Sequence, residues 1–202
     1  MPGTFEDFAV GNALTLKAAF DADARRRVLA FVRERFQACF GAEVEDDSPT
    51  LVGGFDCDGG LVAAFGLRDW KSGFFCEHYL DEPLETALSR AFGDPVVRRE
   101  AVEVTHLCAT RPGLLAQLAP LLPPTLMDAG FRYLACTATQ RLARFFERKG
   151  VNPVTLADAR IEAIPSSARP AWGRYYASCP RVLAGNLQCA NEKLLAARSL
   201  HP

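Results

Sequence analysis

Residues 96–138 constrain the fold more than any other stretch of this chain. VVRREAVEVTHLCA (96–109) and FRYLACTA (131–138) are apolar runs rich in strand-forming residues. Between them lies LLAQLAPLLPPTLMDAG (114–130), which is leucine-rich and helical in pattern. A strand, a helical connection and a second strand pair most simply as a right-handed crossover, so these two strands are expected side by side and parallel. Pro120, Pro123 and Pro124 each remove a helix hydrogen bond and crowd the turn before, so the connection must be kinked or split.

The flanking sequence sets this pair within a larger sheet. DADARRRVLAFVRERFQACF (21–40) spaces Val28, Phe31, Val32, Phe36 and Phe40 as one helical face, with Asp21 as N-cap and Gly41 as stop. Arg25, Arg26 and Arg27 read as its solvated face. EVEDDSPT (43–50) is an acidic loop. In TLVGGFDCDGGLVAAFGLRDW (50–70), two apolar runs flank Asp56–Gly60, whose glycines supply the positive φ that a tight hairpin needs. FFCEHYL (74–80) is a short apolar segment, strand or helix. Asp81 and Pro83 open a helix to about Phe92, which Gly93-Asp94-Pro95 ends. QRLARFFERKG (140–150) is an amphipathic helix closed by Gly150. Beyond Val151 the pattern weakens to a short helix or turn at 171–180, a strand at 181–188 and a terminal helix from about 189. The first 20 residues read as a loosely packed arm or a short strand. A single mixed α/β domain over 1–202, with a mostly antiparallel sheet and one parallel pair, fits this order.

Bulk properties exclude several function classes. A formal charge of −1 over 202 residues gives no electrostatic reason to expect nucleic acid as a partner. The seven cysteines form no C-x-x-C pair, so zinc or redox spacing is absent and no metal is expected. Cys76, Cys108 and Cys136 read as small buried hydrophobes. The odd cysteine count and the lack of a signal-peptide pattern favour a reducing cytoplasm. No apolar stretch reaches the roughly 18 residues of a membrane span.

Polar groups inside apolar runs mark the candidate chemistry. Regular alternation would put Glu103, Thr105 and Leu107 on one face of their strand, and Val102, Val104, His106 and Cys108 on the other. A bulge would shift that register, bring His106 round, and part the strand from its parallel neighbour. Backbone amides facing such a gap could pair with an extended amide-bearing ligand such as pantetheine. Glu103 is either satisfied by an arginine such as Arg68 or Arg98, or held as a base. His106 is a hydrogen-bonded core histidine or a second base. Arg68, Asp69, Glu77 and His78 lie among Phe65, Trp70, Phe74, Phe75 and Tyr79: a surface hairpin end, or a charged lip beside an apolar acyl pocket. Trp172-Gly173-Arg174-Tyr175-Tyr176 is a third cluster, with packing its default role.

FCEHYLDEPLE (75–85), VEVTHLCATRPG (102–113) and WGRYYASCPRVLAGNL (172–187) together resemble the thermostable hemolysin family over about residues 25–188. That family looks like a branch of the GNAT acyltransferase superfamily and is similar to the acyl-homoserine-lactone synthases. Gly66-Leu67-Arg68-Asp69, Glu103-Val104-Thr105-His106-Leu107 and the helix entry Thr139 to Phe145 resemble synthase motifs. His106 stands where the synthases carry arginine, and the acidic loop lacks their aspartate pattern; both place S-adenosylmethionine in question as a substrate.

The resemblance implies a GNAT-like fold whose parallel strands splay, with helices on both faces. It implies an acyltransferase moving an acyl group from coenzyme A, or from the phosphopantetheine of an acyl carrier protein, to a small, amino-acid-like amine. In that scheme Glu103 is the base, with Thr105 and His106 beside it. Arg68, Glu77, Trp172 and Tyr176 hold the acceptor, while Leu107, Cys108, Ala109, Arg111, Thr139 and Arg144 meet the donor. The alternatives are a synthase using S-adenosylmethionine, a membrane-active hemolysin and a non-catalytic acyl-binding protein. The sequence contains no strongly cationic amphipathic helix of the kind that lies on membranes.

Overall fold

The computed structural model describes residues 8–10 and 14–199. In chain order the first half comprises β1 (Phe8–Val10), β2 (Leu14–Ala18), α1 (Ala22–Phe40), β3 (Thr50–Phe55), β4 (Leu61–Arg68) and α2 (Leu84–Phe92). The second half comprises β5 (Ala101–Ala109), α3 (Pro112–Leu118), α4 (Leu122–Asp128), β6 (Tyr133–Ala138), α5 (Gln140–Arg148), β7 (Val154–Asp158), β8 (Arg181–Asn186) and α6 (Leu187–Ser199). Among the described residues the strands form one sheet in the order β1-β2-β3-β4-β5-β6-β8-β7. Every neighbouring pair is antiparallel except β5 and β6, which run parallel as the crossover required.

Helices cover both faces. Val28, Leu29, Val32 and Phe36 of α1 pack on Leu51 and Ala64, and Leu84 and Leu88 of α2 pack with Tyr133, Ala135, Val182 and Ala184. Leu114 and Leu118 of α3, Leu122 and Leu126 of α4 and Leu187 of α6 cover the opposite face, over Phe65, Leu67, Val102 and Val104. The strand residues alternate between these layers as a pleated sheet demands. Asp21 caps α1 by accepting from the N–H groups of Asp23 and Ala24, and Gly41 ends it in the left-handed conformation. The prolines split the crossover into α3 and α4, with Pro112 and Pro123 each at a helix start, where a missing N–H costs nothing.

Several boundaries differ from the expectation. The strand foreseen from Val96 begins only at Ala101, because Arg98–Glu100 form one 3-10 turn. The arm is not loose over Leu14–Ala18: Leu14 and Leu16 are buried, and β2 pairs with β3. Residues 1–7 and 11–13 of the arm lie outside the described residues, as do residues 200–202 of the expected terminal helix. That helix begins at Leu187, so the strand before it is shorter than expected. β7 was not foreseen; its residues are half-buried or exposed, so it carries little apolar signal. Arg25 is not merely solvated, for it binds Asp46 and the carbonyls of Ser48 and Pro49, fixing the acidic loop against α1.

Candidate active site

β5 and β6 pair only from Ala101/Tyr133 to Val104/Cys136, although β5 runs on to Ala109 and β6 to Ala138. At that point β5 carries a bulge. Ala64 of β4 faces Cys108 and Gly66 faces Thr105, so Phe65 stands opposite both His106 and Leu107. His106 takes φ 52°, the left-handed conformation that lets one extra residue into a strand. The consequence is a change of face. Thr105 and His106 both turn toward α1, where His106 meets the Phe36 ring edge-on, while Leu107 joins the core on the far side with Val102 and Val104. The simple alternation therefore fails from His106 onward.

The bulge clusters hydroxyls beside Glu103. Ser48 Oγ lies 2.8 Å from Thr105 Oγ1 and 3.4 Å from His106 Nδ1. Gly66 makes room for them, since a β-carbon there would collide with both hydroxyls. Phe75–Tyr79 form a 3-10 turn laid over this face. The first N–H groups of such a turn have no partner within it. Those of Phe75 and Cys76 donate to Glu103, at 2.6 and 3.0 Å.

Glu103 is 1% exposed. Burial pushes its carboxyl up to about 7, against the downward pull of the Phe75 N–H, the Arg68 charge and the Cys76 N–H; Asp47 pushes it further up. Burial likewise lowers the His106 imidazole below its ordinary value, which keeps it neutral near pH 7. Neither arginine weighed as a mate for Glu103 bonds it. Arg68 binds Asp47 and the carbonyls of Ser72 and Gly73, and Arg98 binds Glu77 and Glu85.

Two cavities meet at the parting of the strands. A small chamber of about 40 Å³ contains Glu103, Thr105, His106 and Asp47 under Phe75, Tyr79, Trp172 and Tyr175. A larger cleft of about 350 Å³ runs along Leu107, Cys108 and Ala109 on one side and Cys136, Thr137 and Thr139 on the other. Phe36, Val104, His106, Thr137 and Tyr175 line both. Arg35, Arg111, Arg141 and Arg148 stand around the cleft. An apolar pocket of about 70 Å³ beneath α4 and α6 shares Leu122, Leu134, Cys136 and Phe146 with it.

The Trp-Gly-x-Tyr-Tyr stretch builds the chamber roof. Gly173, at φ 49°, sits where any β-carbon would collide with the carbonyls that end α1, and Arg174 N–H donates to Phe40 O at 2.7 Å. That contact seats Trp172 against Phe75 and Tyr175 against Phe36 and Phe40. Tyr175 in turn donates to the Thr137 carbonyl at 2.9 Å, just past the last β5–β6 pair.

The thermostable hemolysin profile matches residues 19–191. The chain belongs to that family. None of the curated proteins matches it. Among solved structures it is similar to FeeM, an N-acyl amino acid synthase from uncultured soil microbes, with 17% identity over 92% of this chain and 97% of that one, TM-score 0.60. It is also similar to the AHL synthase LasI, with 11% identity over 89% and 95% of the two chains, TM-score 0.55. A candidate phosphinothricin N-acetyltransferase matches with 13% identity over 86% and 98%, TM-score 0.54. The chain therefore has a GNAT-like fold, with the splayed parallel pair.

The structure brings most of the foreseen residues together and separates a few. Glu103, Thr105, His106 and Trp172 line the chamber; Leu107, Cys108, Ala109, Arg111 and Thr139 line the cleft. Thr139 also caps α5 through the Leu142 N–H. Glu77 lines neither cavity: Arg98 grips it at 2.5 and 2.9 Å, and it caps the Leu84 N–H. Arg68 is held in its loop contacts, and the Tyr176 hydroxyl pairs with that of Tyr79. Arg144 is exposed, and its helix neighbours Arg141 and Arg148 face the cleft instead. Ser48, Thr137 and Arg35 were not foreseen, and Tyr175, expected to pack, lines both cavities. No helix among the described residues is long and apolar enough to cross a membrane.

Proposed function

We propose that this protein moves an acyl group from a thioester, on coenzyme A or on the phosphopantetheine arm of an acyl carrier protein, to the amine of a small amino-acid-like acceptor. One observation carries the reading: a carboxylate that burial pushes up to about 7 stands in a small chamber that shares its wall with a cleft between two parted parallel strands. The cleft suits an extended pantetheine arm, whose amides can pair with the strand backbone left without a neighbour beyond Val104. The arginines at the cleft suit its phosphates or an acidic carrier surface.

The chemistry follows from this placement. The acceptor amine enters the chamber and loses a proton to Glu103, directly or through one water, because only a neutral amine attacks. Its nitrogen bonds to the thioester carbon, charge gathers on the carbonyl oxygen, and backbone N–H groups near Leu107 to Ala109 can stabilise it. Collapse breaks the carbon–sulfur bond and releases the thiol with the returned proton. The apolar pocket next to the cleft supports an acyl chain longer than acetyl.

The test is turnover of purified protein with acyl thioesters of graded chain length and a panel of amino acids, read by product mass. Amide product that disappears in Glu103→Gln supports the reading. Methylthioadenosine released from S-adenosylmethionine would replace the acceptor, and vesicle leakage without any thioester would replace the function.

A further inference from the structure

One polar atom at the junction of the two cavities has no partner. Thr137 Oγ1 is shielded from solvent and makes no hydrogen bond, although its residue lines both the chamber and the cleft. A buried hydroxyl left unpaired is costly, so such a group marks a place completed by something else. Its position says what. Ala135 faces Glu103 in the parallel ladder, and Thr137 lies two residues further on the same face of β6, beyond the last paired residue. The Tyr175 hydroxyl anchors the Thr137 carbonyl, so the backbone that carries the free hydroxyl is itself fixed.

We infer that Thr137 is a catalytic residue whose hydroxyl donates a hydrogen bond to the carbonyl oxygen of the acyl group under attack. The inference rests on the acyl-transfer reading above. If the amine arrives from the chamber and the thioester from the cleft, the acyl carbon reacts where the cavities join. There, once a turn about χ1 brings the shielded Thr137 hydroxyl of β6 into the junction, the oxygen meets it on one side and backbone N–H of β5 on the other. A donor carried on backbone already fixed in place stabilises the transition state more than the bound substrate.

Thr137→Val keeps the shape and removes the hydroxyl. The expected result is a loss in kcat of about 100-fold, with KM for both substrates little changed and recovery in Thr137→Ser. The melting temperature should not fall, because the deleted hydroxyl bonds nothing in the fold. Thr137→Ala repeats the test should the valine variant fail to fold. Unchanged turnover in the variants beside an active wild type overturns the role of Thr137 and leaves acyl transfer standing. A kcat loss shared by Thr137→Ser, or matched by a lower melting temperature, marks a structural role and overturns it too. A wild type inactive with every thioester and amine overturns the parent reading and this one together.

Discussion

Glu103 stands opposite Arg68 across β4 and β5, yet the two side chains do not bond each other. The arginine reaches away to the Asp47 and Ser72–Gly73 loops, while the carboxylate is held by two backbone N–H groups. Its charge still acts at a distance, pulling the carboxyl down against burial. Removing that charge in Arg68→Met should move the acid limb of the kcat/KM–pH profile to higher pH. A profile that stays in place would mean the limb belongs to another group.

Glu103 also links folding to pH. Its carboxyl rises from the ordinary 4.5 to about 7 on folding, so between those values the folded chain holds a proton that the unfolded chain has released. Stability from this group is complete below about pH 4.5 and is lost as pH rises through 7. The full difference is about 3 kcal/mol at roughly 1.4 kcal/mol per pH unit. In Glu103→Gln this dependence should vanish, so urea melts of the variant should gain on the wild type from pH 5 to pH 8. The same variant should lose about 10²–10⁴ in turnover if the carboxylate is the base.

How the site could be read from sequence depends on what each residue does locally. The crossover, the hairpin and the caps of α1 were legible because turn chemistry and periodicity act within a few residues. The parting of β5 and β6 was legible only as a condition, since period-two alternation cannot say whether His106 or its neighbour is the extra residue. His106 at φ 52° is a choice made by tertiary contacts with Phe36 and Ser48. Glu77 could not be placed from sequence, because acidic residues beside aromatics look the same whether they face a substrate or Arg98. Ser48 and Thr137 gave no signal at all, being ordinary loop and strand residues until the fold buries their hydroxyls.

Arg98 holds the 3-10 turn that supplies the two N–H donors to Glu103. It grips Glu77 within that turn, binds Glu85 of α2, and lies over the Phe74 ring. These groups are about one-quarter to one-third exposed, so solvent screening limits the ion pairs. Arg98→Gln should cost about 1–2 kcal/mol in denaturant melts. It should also alter the pH–rate profile by loosening the turn that holds the base. Normal stability with an unmoved profile would show the turn to be self-sufficient.

Gly173 is fixed by space as well as by its backbone angle. A side chain there must displace the carbonyls of Phe40 and Gly41, and φ 49° is unfavourable for any residue with a β-carbon. Gly173→Ala should destabilise by at least about 1–3 kcal/mol. It should also lower turnover out of proportion, since Trp172 and Tyr175 roof the chamber from either side of it. A variant with wild-type melting and turnover would show that α1 gives way freely at its end.

Gly185 offers a cleaner probe of the acyl site. It sits on β8 in the wall of the apolar pocket, and a β-carbon added there meets nothing within 4 Å. Its φ is not among the positive ones, so substitution carries no left-handed strain. Gly185→Val should fold normally and fill part of the 70 Å³ pocket while leaving the chamber and Glu103 untouched. If the pocket holds the far end of the acyl chain, kcat/KM should fall for long-chain thioesters and hold for short ones. Each lost buried methylene is worth about 0.8 kcal/mol, or roughly fourfold, so blocking two or three of them shifts the preference by more than tenfold. An unchanged chain-length profile would place the acyl tail elsewhere, along the cleft rather than beneath α4 and α6.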